Sequence, residues 1–243
     1  MSEDETDALA NAKESVAAPE IVETCPRCLK PLSLCVCDGI VPLKNRIALL
    51  ILQHPQEQDK TLGTARVTTG HFTNAVFKVG LSWPSLAKAL GRPADPQHWA
   101  ILYLGSALPD LPPHQEITIL DGKGKVLPNQ DRALADIEGI LLLDGTWSQA
   151  KALWWRNPWV LKCRRVVLNP RQPSRYGKLR REPRREGLST LEAAALLLSR
   201  LEHRPEIETE LLMTFERMLK RYRETNPHAG DRRRRKSAGH HRR

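Results

Sequence analysis

One short segment, residues 140–145, constrains the fold of this chain more than any other. The apolar run 140–143 indicates a buried strand, and Gly145 permits a tight turn directly after it. A helical pattern begins almost at once beyond the turn. In open α/β sheets, ligands bind beyond the carboxyl ends of the strands. Asp144 is therefore predicted to lie at a ligand-binding edge.

Similar apolar runs recur along the chain and are separated by helical patterns. Strands alternating with helices predict an α/β fold with a mostly parallel sheet and helices on both faces. The helical patterns include residues 147–155 and a C-terminal stretch over 206–222 with an apolar stripe. The other predicted strands cover residues 47–52, 99–104, 117–120 and 165–168.

Four of the five cysteines lie within thirteen residues. Cys25 and Cys28 are separated by two residues, and after six intervening residues come Cys35 and Cys37, separated by one. Four thiolates at this spacing can close a tetrahedron around Zn²⁺, and such a full ligand set indicates a structural site rather than a catalytic one. The alternatives are free thiols in a loop or a redox pair. Cys163 stands apart as an ordinary cysteine.

The chain is strongly basic, with a net charge of +10 and an isoelectric point near 9.6. This balance favours a polyanionic partner, most often a nucleic acid. Residues 162–185 hold ten cations against one acid, Glu182, which favours an RNA surface over a solvated loop because arginine binds phosphate bidentately and an exposed tyrosine can stack on a base. The residues predicted to face RNA are Arg164, Arg165, Arg171, Arg175, Tyr176, Lys178, Arg180 and Arg181.

The composition divides the chain into four parts. Residues 1–22 form an acidic tail predicted to be disordered, residues 23–40 the cysteine module, 41–225 the α/β domain, and 226–243 a basic tail predicted to be disordered. No apolar run approaches the roughly 20 residues that span a bilayer, and the acidic start resembles neither a signal nor a transit peptide. We therefore expect a cytoplasmic protein without a membrane or an obligate protein partner.

Residues 144–147 and 189–192 each allow two interpretations. Asp144 can act as a general base if its surroundings hold it near a proton donor, but an Asp or Thr before a helix is also a common N-cap. Trp147 can pack against a nucleoside or lie in the core. Ser189 and Glu192 have the spacing of a capping box at the start of a helix.

Several motifs in one order resemble the DTW-domain family of tRNA-uridine aminocarboxypropyltransferases. The resemblance covers about residues 25–200 and leaves out both tails. The matching motifs are Cys25-x-x-Cys28 with Cys35-x-Cys37, Gln53-His54-Pro55, Thr69-Gly70, Leu142-Leu143-Asp144-Gly145-Thr146-Trp147 with Gln149-Ala150-Lys151, Tyr176-Gly177-Lys178-Leu179-Arg180, and Leu188-Ser189-Thr190-Leu191-Glu192-Ala193.

This resemblance implies a fold related to the knotted SPOUT methyltransferases, in which S-adenosylmethionine binds at a C-terminal knot. It implies transfer of the 3-amino-3-carboxypropyl group of S-adenosylmethionine to N3 of a tRNA uridine, with release of 5′-methylthioadenosine. Asp144 would be the base for the N3 proton. Glu192 would hold the ammonium of the donor or only complete the capping box. The residues implied for the cofactor or uridine site are His54, Thr69, Gly70, Thr146, Trp147, Ser189, Thr190 and Glu192.

Two other functions remain open on these residues. One is a SPOUT-like, S-adenosylmethionine-dependent RNA methyltransferase, which would release S-adenosylhomocysteine instead. The other is a zinc-containing RNA-binding protein without activity, which the charge, the cysteines and the basic segment would satisfy. An RNA-binding protein without activity would not account for the Asp144 turn at the end of a strand, nor for the Ser-Thr-x-Glu element at residues 189–192.

Overall fold

The computed structural model describes residues 23–58, 60–103, 116–177, 179 and 187–227. The predicted acidic tail and nearly all of the predicted basic tail lie outside these ranges. In the described part of the chain, no helix has the length and apolar character needed to cross a membrane.

A six-stranded sheet with the strand order β2-β1-β5-β3-β6-β4 forms the centre of the molecule. All neighbouring strands are parallel except β4 and β6, which are antiparallel, so the predicted mostly parallel sheet is confirmed. The strands are β1 (Ala48–Gln53), β2 (Ala75–Val79), β3 (Trp99–Leu102), β4 (Ile117–Leu120), β5 (Gly139–Asp144) and β6 (Arg164–Leu168).

The strand β2 was not predicted from the sequence. It pairs only with β1, at one edge of the sheet, and its side chains are half-buried apart from the exposed Lys78. Because an edge strand lacks the continuous apolar run of a central parallel strand, the pattern that indicates the other five strands is weak here.

Helices cover both faces of the sheet, as predicted. Side chains alternate along β1, so that Leu49 and Ile51 enter one core while Leu50 and Leu52 enter the other. The first core packs under α1, α3, α5 and α6, and the second under α2 and the turn Pro158–Lys162. The helices are α1 (Ala65–Gly70), α2 (Leu86–Leu90), α3 (Gln130–Ala135), α4 (Trp147–Arg156), α5 (Thr190–Leu201) and α6 (Pro205–Thr225).

The cysteine module packs against the last helix of the described chain. Its four cysteines belong to the same core as Phe215 and Met218 of α6. The guanidinium of Arg217 donates to the carbonyl of Gly39, and Arg221 forms an ion pair with Asp38 at 3.5 Å. The module is therefore continuous with the α/β core.

Candidate functional site

The carboxyl ends of β1 and β5 meet at a switch point of the sheet. The two strands are parallel neighbours, and Gln53 lies opposite Asp144 in their register. The chain leaves β1 towards β2 on one side, and it leaves β5 through α4 towards β6 on the other side. Connections that diverge in this way leave a crevice at the strand ends, where α/β proteins bind ligands. Asp144 lies at the place that the sequence predicted.

The Asp144 carboxylate is held by two side chains from distant parts of the chain. The Gln53 amide donates a 2.7 Å hydrogen bond to Oδ2, and the hydroxyl of Thr190, at the start of α5, donates to Oδ1. The backbone N–H of His54 donates to the Asp144 carbonyl at 2.9 Å. Since the side chain is half-buried, these contacts fix its orientation while one side remains accessible.

Thr146, and not Asp144, caps α4. The Thr146 hydroxyl accepts from the backbone N–H of Gln149, and the Gln149 side chain accepts from the Thr146 N–H at 2.6 Å, which completes a capping box. A Cβ added to Gly145 would lie 2.9 Å from that of Gln149, so this turn requires glycine. The cap leaves the Asp144 carboxylate available for other contacts.

Trp147 begins α4 beside this turn. The ring is half-buried, and the ammonium of Lys151 lies 5.7 Å from its centroid, a cation–π contact. The indole is therefore neither fully enclosed in the core nor fully exposed.

The predicted capping box at α5 is confirmed, and it occupies Glu192. The Ser189 hydroxyl accepts from the N–H of Glu192, and Glu192 Oε2 accepts from the N–H of Ser189 at 2.8 Å. Oε2 also accepts from the Ser174 hydroxyl, and Oε1 accepts from the N–H of Arg175, both at 2.7 Å. Both carboxylate oxygens thus brace the segment before α5 against the helix.

His54, Thr69 and Gly70, which the family motifs also imply, lie at the ends of two other elements of the fold. His54 follows β1 directly, and its Nδ1 accepts from the N–H of Gln56. Thr69 and Gly70 lie at the far end of α1, where the Thr69 hydroxyl is bonded to the carbonyl of Ala65. The opposite end of α1 meets the site, because Thr64 Oγ1 accepts from the N–H of Leu191 at 3.3 Å.

Two side chains that the sequence did not assign belong to this edge. Gln53 is 4% exposed and Glu57, in the turn Pro55–Glu57 after β1, is 5% exposed. The Oε1 atom of each has no hydrogen-bond partner within the described ranges. A polar residue at the end of an apolar strand, as at Asp144, is the signal that marks Gln53 in the sequence.

A buried cation lies near the same carboxylate. Lys30 is 6% exposed, and its ammonium donates a 2.6 Å hydrogen bond to the carbonyl of Thr61. Burial lowers the pKa of Lys30 to about 8, and the negative charges of Cys28 and Asp144 oppose this shift. Lys30 therefore connects the cysteine module with the loop that leads to α1.

The four clustered cysteines have the geometry of a metal centre. The Sγ atoms of Cys25, Cys28, Cys35 and Cys37 all lie within 4.8 Å of one another. The distance between the Cys28 and Cys35 sulfurs is 3.8 Å, which equals the separation of about 3.8 Å expected for a tetrahedron with Zn–S bonds of about 2.3 Å. The donor set therefore fits a structural zinc ion.

The loop after Cys25 is a tight turn. Leu29 adopts a left-handed conformation with a φ of 58°, and its N–H donates to the carbonyl of Cys25 at 2.8 Å. Burial acts to raise the pKa of the Cys25 thiol, but hydrogen bonds from the N–H groups of Cys28 and Arg27 and from the thiols of Cys35 and Cys28 outweigh it and lower the pKa to about 7. Burial raises the pKa of Cys28 and Cys37.

The prediction that Tyr176 is an exposed base-stacking residue is wrong. Its side chain is 1% exposed and packs edge-to-face on Phe215 with the ring centroids 4.9 Å apart. Its hydroxyl donates a 2.6 Å hydrogen bond to the carbonyl of Leu62. Tyr176 is a core residue that joins α6 to the loop before α1.

Three of the described cations of the basic segment are paired with acids from other elements. Arg164 pairs with Asp136 at 3.3 Å, and Arg175 pairs with Glu216. Arg171 pairs with Glu116 at 3.1 Å but keeps 74% of its side chain exposed. The excess of cations within the segment is therefore balanced in part by acids from elsewhere in the fold, and the RNA surface stays a prediction.

Arg165 is half-buried and makes a different set of contacts. It lies over the rings of Tyr103 and Trp154 and donates to the carbonyl of Gly122 at 2.7 Å. Lys178, Arg180 and Arg181 lie outside the described residues.

The protein is of the α/β class. Its mostly parallel sheet has a polar site at the switch point, and a buried four-cysteine cluster that could hold a metal ion lies in the same core. The sequence profile of the DTW domain matches residues 22–223. The chain therefore belongs to the DTW-domain family. No solved structure matches the chain.

Three curated relatives are similar to this chain, and each is named tRNA-uridine aminocarboxypropyltransferase 2. The protein from Macaca fascicularis is 31% identical over 198 residues, and that from Mus musculus is 32% identical over 193 residues. Both alignments cover 77% of this chain, which spans only 59% of each relative. The Drosophila melanogaster protein is 28% identical over 218 residues, covering 85% of this chain and 77% of the relative.

Proposed function

We propose that this chain is a tRNA-uridine aminocarboxypropyltransferase. It would transfer the 3-amino-3-carboxypropyl group of S-adenosylmethionine to N3 of a tRNA uridine and release 5′-methylthioadenosine. The names of the three relatives support this activity. The observation that carries the proposal is the Asp144 carboxylate at the switch point, oriented by Gln53 and Thr190 in a chain of the DTW-domain family.

Asp144 would act as the general base. The uridine N3 is a weak nucleophile while it is protonated, so a carboxylate that accepts its proton assists the attack. N3 forms a bond to the carbon of the aminocarboxypropyl chain that is attached to the sulfonium. The bond between that carbon and sulfur breaks, and its electron pair neutralises the sulfonium to give the thioether. The proton ends on Asp144.

Positioning would decide which product forms. The sulfonium has three electrophilic carbon neighbours, and the one held in line with N3 reacts. Thr146 and Trp147, which lie beside Asp144 at the start of α4, would shape the pocket. His54, Ser189 and Thr190 border the same edge, whereas Thr69 and Gly70 would contribute from the end of α1.

Cys25, Cys28, Cys35 and Cys37 would hold a structural zinc ion. Bound there, the ion would cross-link the two cysteine pairs and supply folding energy rather than reaction chemistry. These residues form one core with α6, so the ion would stabilise the sheet face that carries α5 and Thr190.

The tRNA would bind over the exposed part of the basic segment. Among the described residues predicted to face RNA, Arg171 and Arg175 are exposed, and Arg164, Arg165, Lys178, Arg180 and Arg181 complete the proposed surface. We also propose a cytoplasmic location, which is compatible with a tRNA substrate. The SPOUT-like C-terminal knot stays a prediction, because the connection from β6 to α5 includes residues 178 and 180–186, which lie outside the described part of the chain.

The decisive experiment supplies unmodified tRNA and S-adenosylmethionine labelled in the carboxyl group. That carbon belongs to the aminocarboxypropyl chain, so the label is expected to enter the tRNA together with release of 5′-methylthioadenosine. Incorporation from methyl-labelled donor alone would instead identify an RNA methyltransferase. Binding of tRNA without incorporation of either label would identify an RNA-binding protein.

A further inference from the structure

The outer face of α6 forms a basic groove. The inner face of this helix is buried in the first core through Leu211, Phe215 and Met218. Side chains three and four positions apart share the opposite face, and there they border an open cavity of about 680 Å³, the α6 groove. Four cations and one acid line it, and these charged residues are Arg175, Glu216, Arg217, Lys220 and Arg223.

The cations of the α6 groove outnumber the acid that lies among them. Glu216 pairs with Arg175. Arg217 donates to two oxygens that carry no charge, a backbone carbonyl at 3.4 Å and a threonine hydroxyl at 3.2 Å. Lys220 and Arg223 are exposed, so their charges are accessible from solvent. A cleft lined by one sign of charge attracts ligands of the opposite sign, and the groove therefore favours an anionic ligand.

The α6 groove is continuous with the candidate site. The backbone N–H of Arg175 donates a 2.7 Å hydrogen bond to Glu192 in the first turn of α5. In the same turn, Thr190 donates to the Asp144 carboxylate. The side chain of Arg175 reaches in the other direction, to Glu216 on α6. A long ligand can therefore lie in the groove while one part of it enters the site at Asp144.

The length of the α6 groove suits an extended polyanion better than a single anionic group. Because an α-helix rises about 1.5 Å per residue, Arg217 and Arg223 are about 9 Å apart along the helix axis. A nucleic acid carries a negative phosphate on every nucleotide and can contact both. Arginine binds phosphate oxygens bidentately, and three of the four cations are arginines. The groove therefore fits a phosphate backbone.

We propose that the α6 groove binds the phosphate backbone of the tRNA. The inference rests on the proposed function, in which a uridine of that tRNA lies at Asp144. Phosphate contacts fix the position and orientation of a nucleic acid without reading its sequence. The groove holds a part of the tRNA outside the modified nucleotide, and Lys220 and Arg223 contribute affinity rather than chemistry.

The test removes the two exposed cations of α6 together, in the double variant Lys220→Gln with Arg223→Gln. The Kd for tRNA is expected to rise at least about fivefold, because two surface ion pairs are lost. Each phosphate contact also releases counterions, so the slope of log Kd against log salt concentration is expected to fall by about 2. Filter binding over a range of salt concentrations measures both quantities.

The matched control removes one lysine and one arginine from the other side of the sheet. Lys88 is exposed on α2 and Arg92 is exposed just after it, and α2 packs on the second core instead of the first. Lys88→Gln with Arg92→Gln lowers the net charge equally and is expected to leave the Kd and the salt dependence unchanged. Equal effects of the two double variants, or no effect of either, overturn the inference.

A second measurement uses the unaltered protein and does not depend on the folding of a variant. Acetic anhydride acetylates exposed lysines, and mass spectrometry reports the extent at each one. Bound tRNA is expected to protect Lys220 and to leave Lys88 as reactive as in the free protein. Equal reactivity of Lys220 with and without tRNA overturns the inference. Protection by polyglutamate but not by tRNA also overturns it and assigns the groove to an acidic protein.

The outcome for the groove is separate from the outcome for the activity. If tRNA protects Lys220 but receives no label from S-adenosylmethionine, the proposed function fails and the groove remains a tRNA-binding surface. If the label enters the tRNA while the two double variants bind tRNA alike, the inference about the groove fails alone.

Discussion

The hydroxyl of Thr190 donates a hydrogen bond to Oδ1 of Asp144, joining the first turn of α5 to the end of β5. The two residues are 46 positions apart, and the intervening chain forms α4 and β6. Gln53 binds the second carboxylate oxygen from a third element. The orientation of the proposed base therefore depends on residues that come together only when the chain has folded.

Replacing Thr190 with valine is expected to lower kcat about tenfold or more, since a hydrogen bond to a charged group contributes about 1.5–3 kcal/mol. The variant keeps the shape of the side chain and removes the donor. Thr190→Ser, which restores the hydroxyl, serves as the matched control and is expected to retain most of the activity. Single-turnover transfer assays measure the effect, and equal loss in both variants would show that the hydroxyl has no part in it.

Asp144→Asn is expected to lower transfer by at least about 100-fold, within the usual contribution of a general base. The amide keeps the size of the carboxylate but accepts protons poorly. Affinity for tRNA, measured by filter binding, is expected to remain near that of the unaltered protein because the basic segment is untouched. Undiminished transfer by this variant would remove Asp144 from the role of base.

Replacing both Cys25 and Cys28 with serine is expected to abolish zinc binding and lower the melting temperature. Two of four ligands are lost, and the cluster shares its core with Phe215 and Met218, so folding is coupled to the metal. Cys163→Ala is the control because Cys163 is buried elsewhere, in the second core. Metal analysis and thermal unfolding report the result; a double variant that folds normally without zinc would exclude a structural metal site.

Tyr176→Phe is expected to lower the free energy of unfolding by about 1 kcal/mol, the usual contribution of one hydrogen bond. The substitution removes only the hydroxyl that donates to the Leu62 carbonyl. Tyr222→Phe, on the half-buried surface of α6, provides the comparison and is expected to have little effect. Urea unfolding measures both variants, and unchanged stability in Tyr176→Phe would show that the hydrogen bond to Leu62 contributes nothing to the fold.

His71 is expected to make the fold sensitive to acid. Burial, assisted by the positive charges of Arg217 and Arg27, lowers the pKa of His71 to about 4 from 6.5. Below pH 6.5 the unfolded chain binds the proton and the folded chain does not, so stability falls as the pH drops from about 6.5 to about 4. The loss attributable to this group is roughly 3 kcal/mol.

The measurement for His71 is the free energy of unfolding as a function of pH. His71→Gln is expected to flatten this dependence, whatever its effect on stability at neutral pH. His203→Asn, at an exposed histidine with a left-handed backbone that asparagine tolerates, is expected to leave the slope unchanged. The same steep slope in His71→Gln would assign the acid sensitivity to other groups.

The sequence predicted those features that depend on local pattern. Central strands such as β1 and β5 appear as apolar runs, and the capping box at the start of α5 follows from the three-residue spacing of Ser189 and Glu192. The sequence does not show which distant groups meet. Tyr176 lies among cations, yet it is buried because Phe215, 39 residues later, packs on its ring. Arg171 is paired because Glu116 comes from the start of another strand.

The same reasoning explains the residues that were missed at the site. Gln53 and Glu57 stand out only in the structure, because both are buried and the Oε1 atom of each has no hydrogen-bond partner among the described residues. No spacing in the chain reveals an unsatisfied oxygen. Asp144 could be predicted because a carboxylate at the end of an apolar run is visible in the sequence. Its position in the sheet then follows, since the carboxyl ends of parallel strands lie at one edge.

The place of β5 in the sheet has a consequence for how the protein is synthesised. β5 lies between β1 and β3, although it follows both in the chain. A nascent chain that ends before Gly139 therefore leaves β1 and β3 with open edges, the kind of surface on which chains pair with one another and aggregate. Only after Thr190 has left the ribosome are both side chains that hold the Asp144 carboxylate present, so no fragment that ends before Thr190 retains the site.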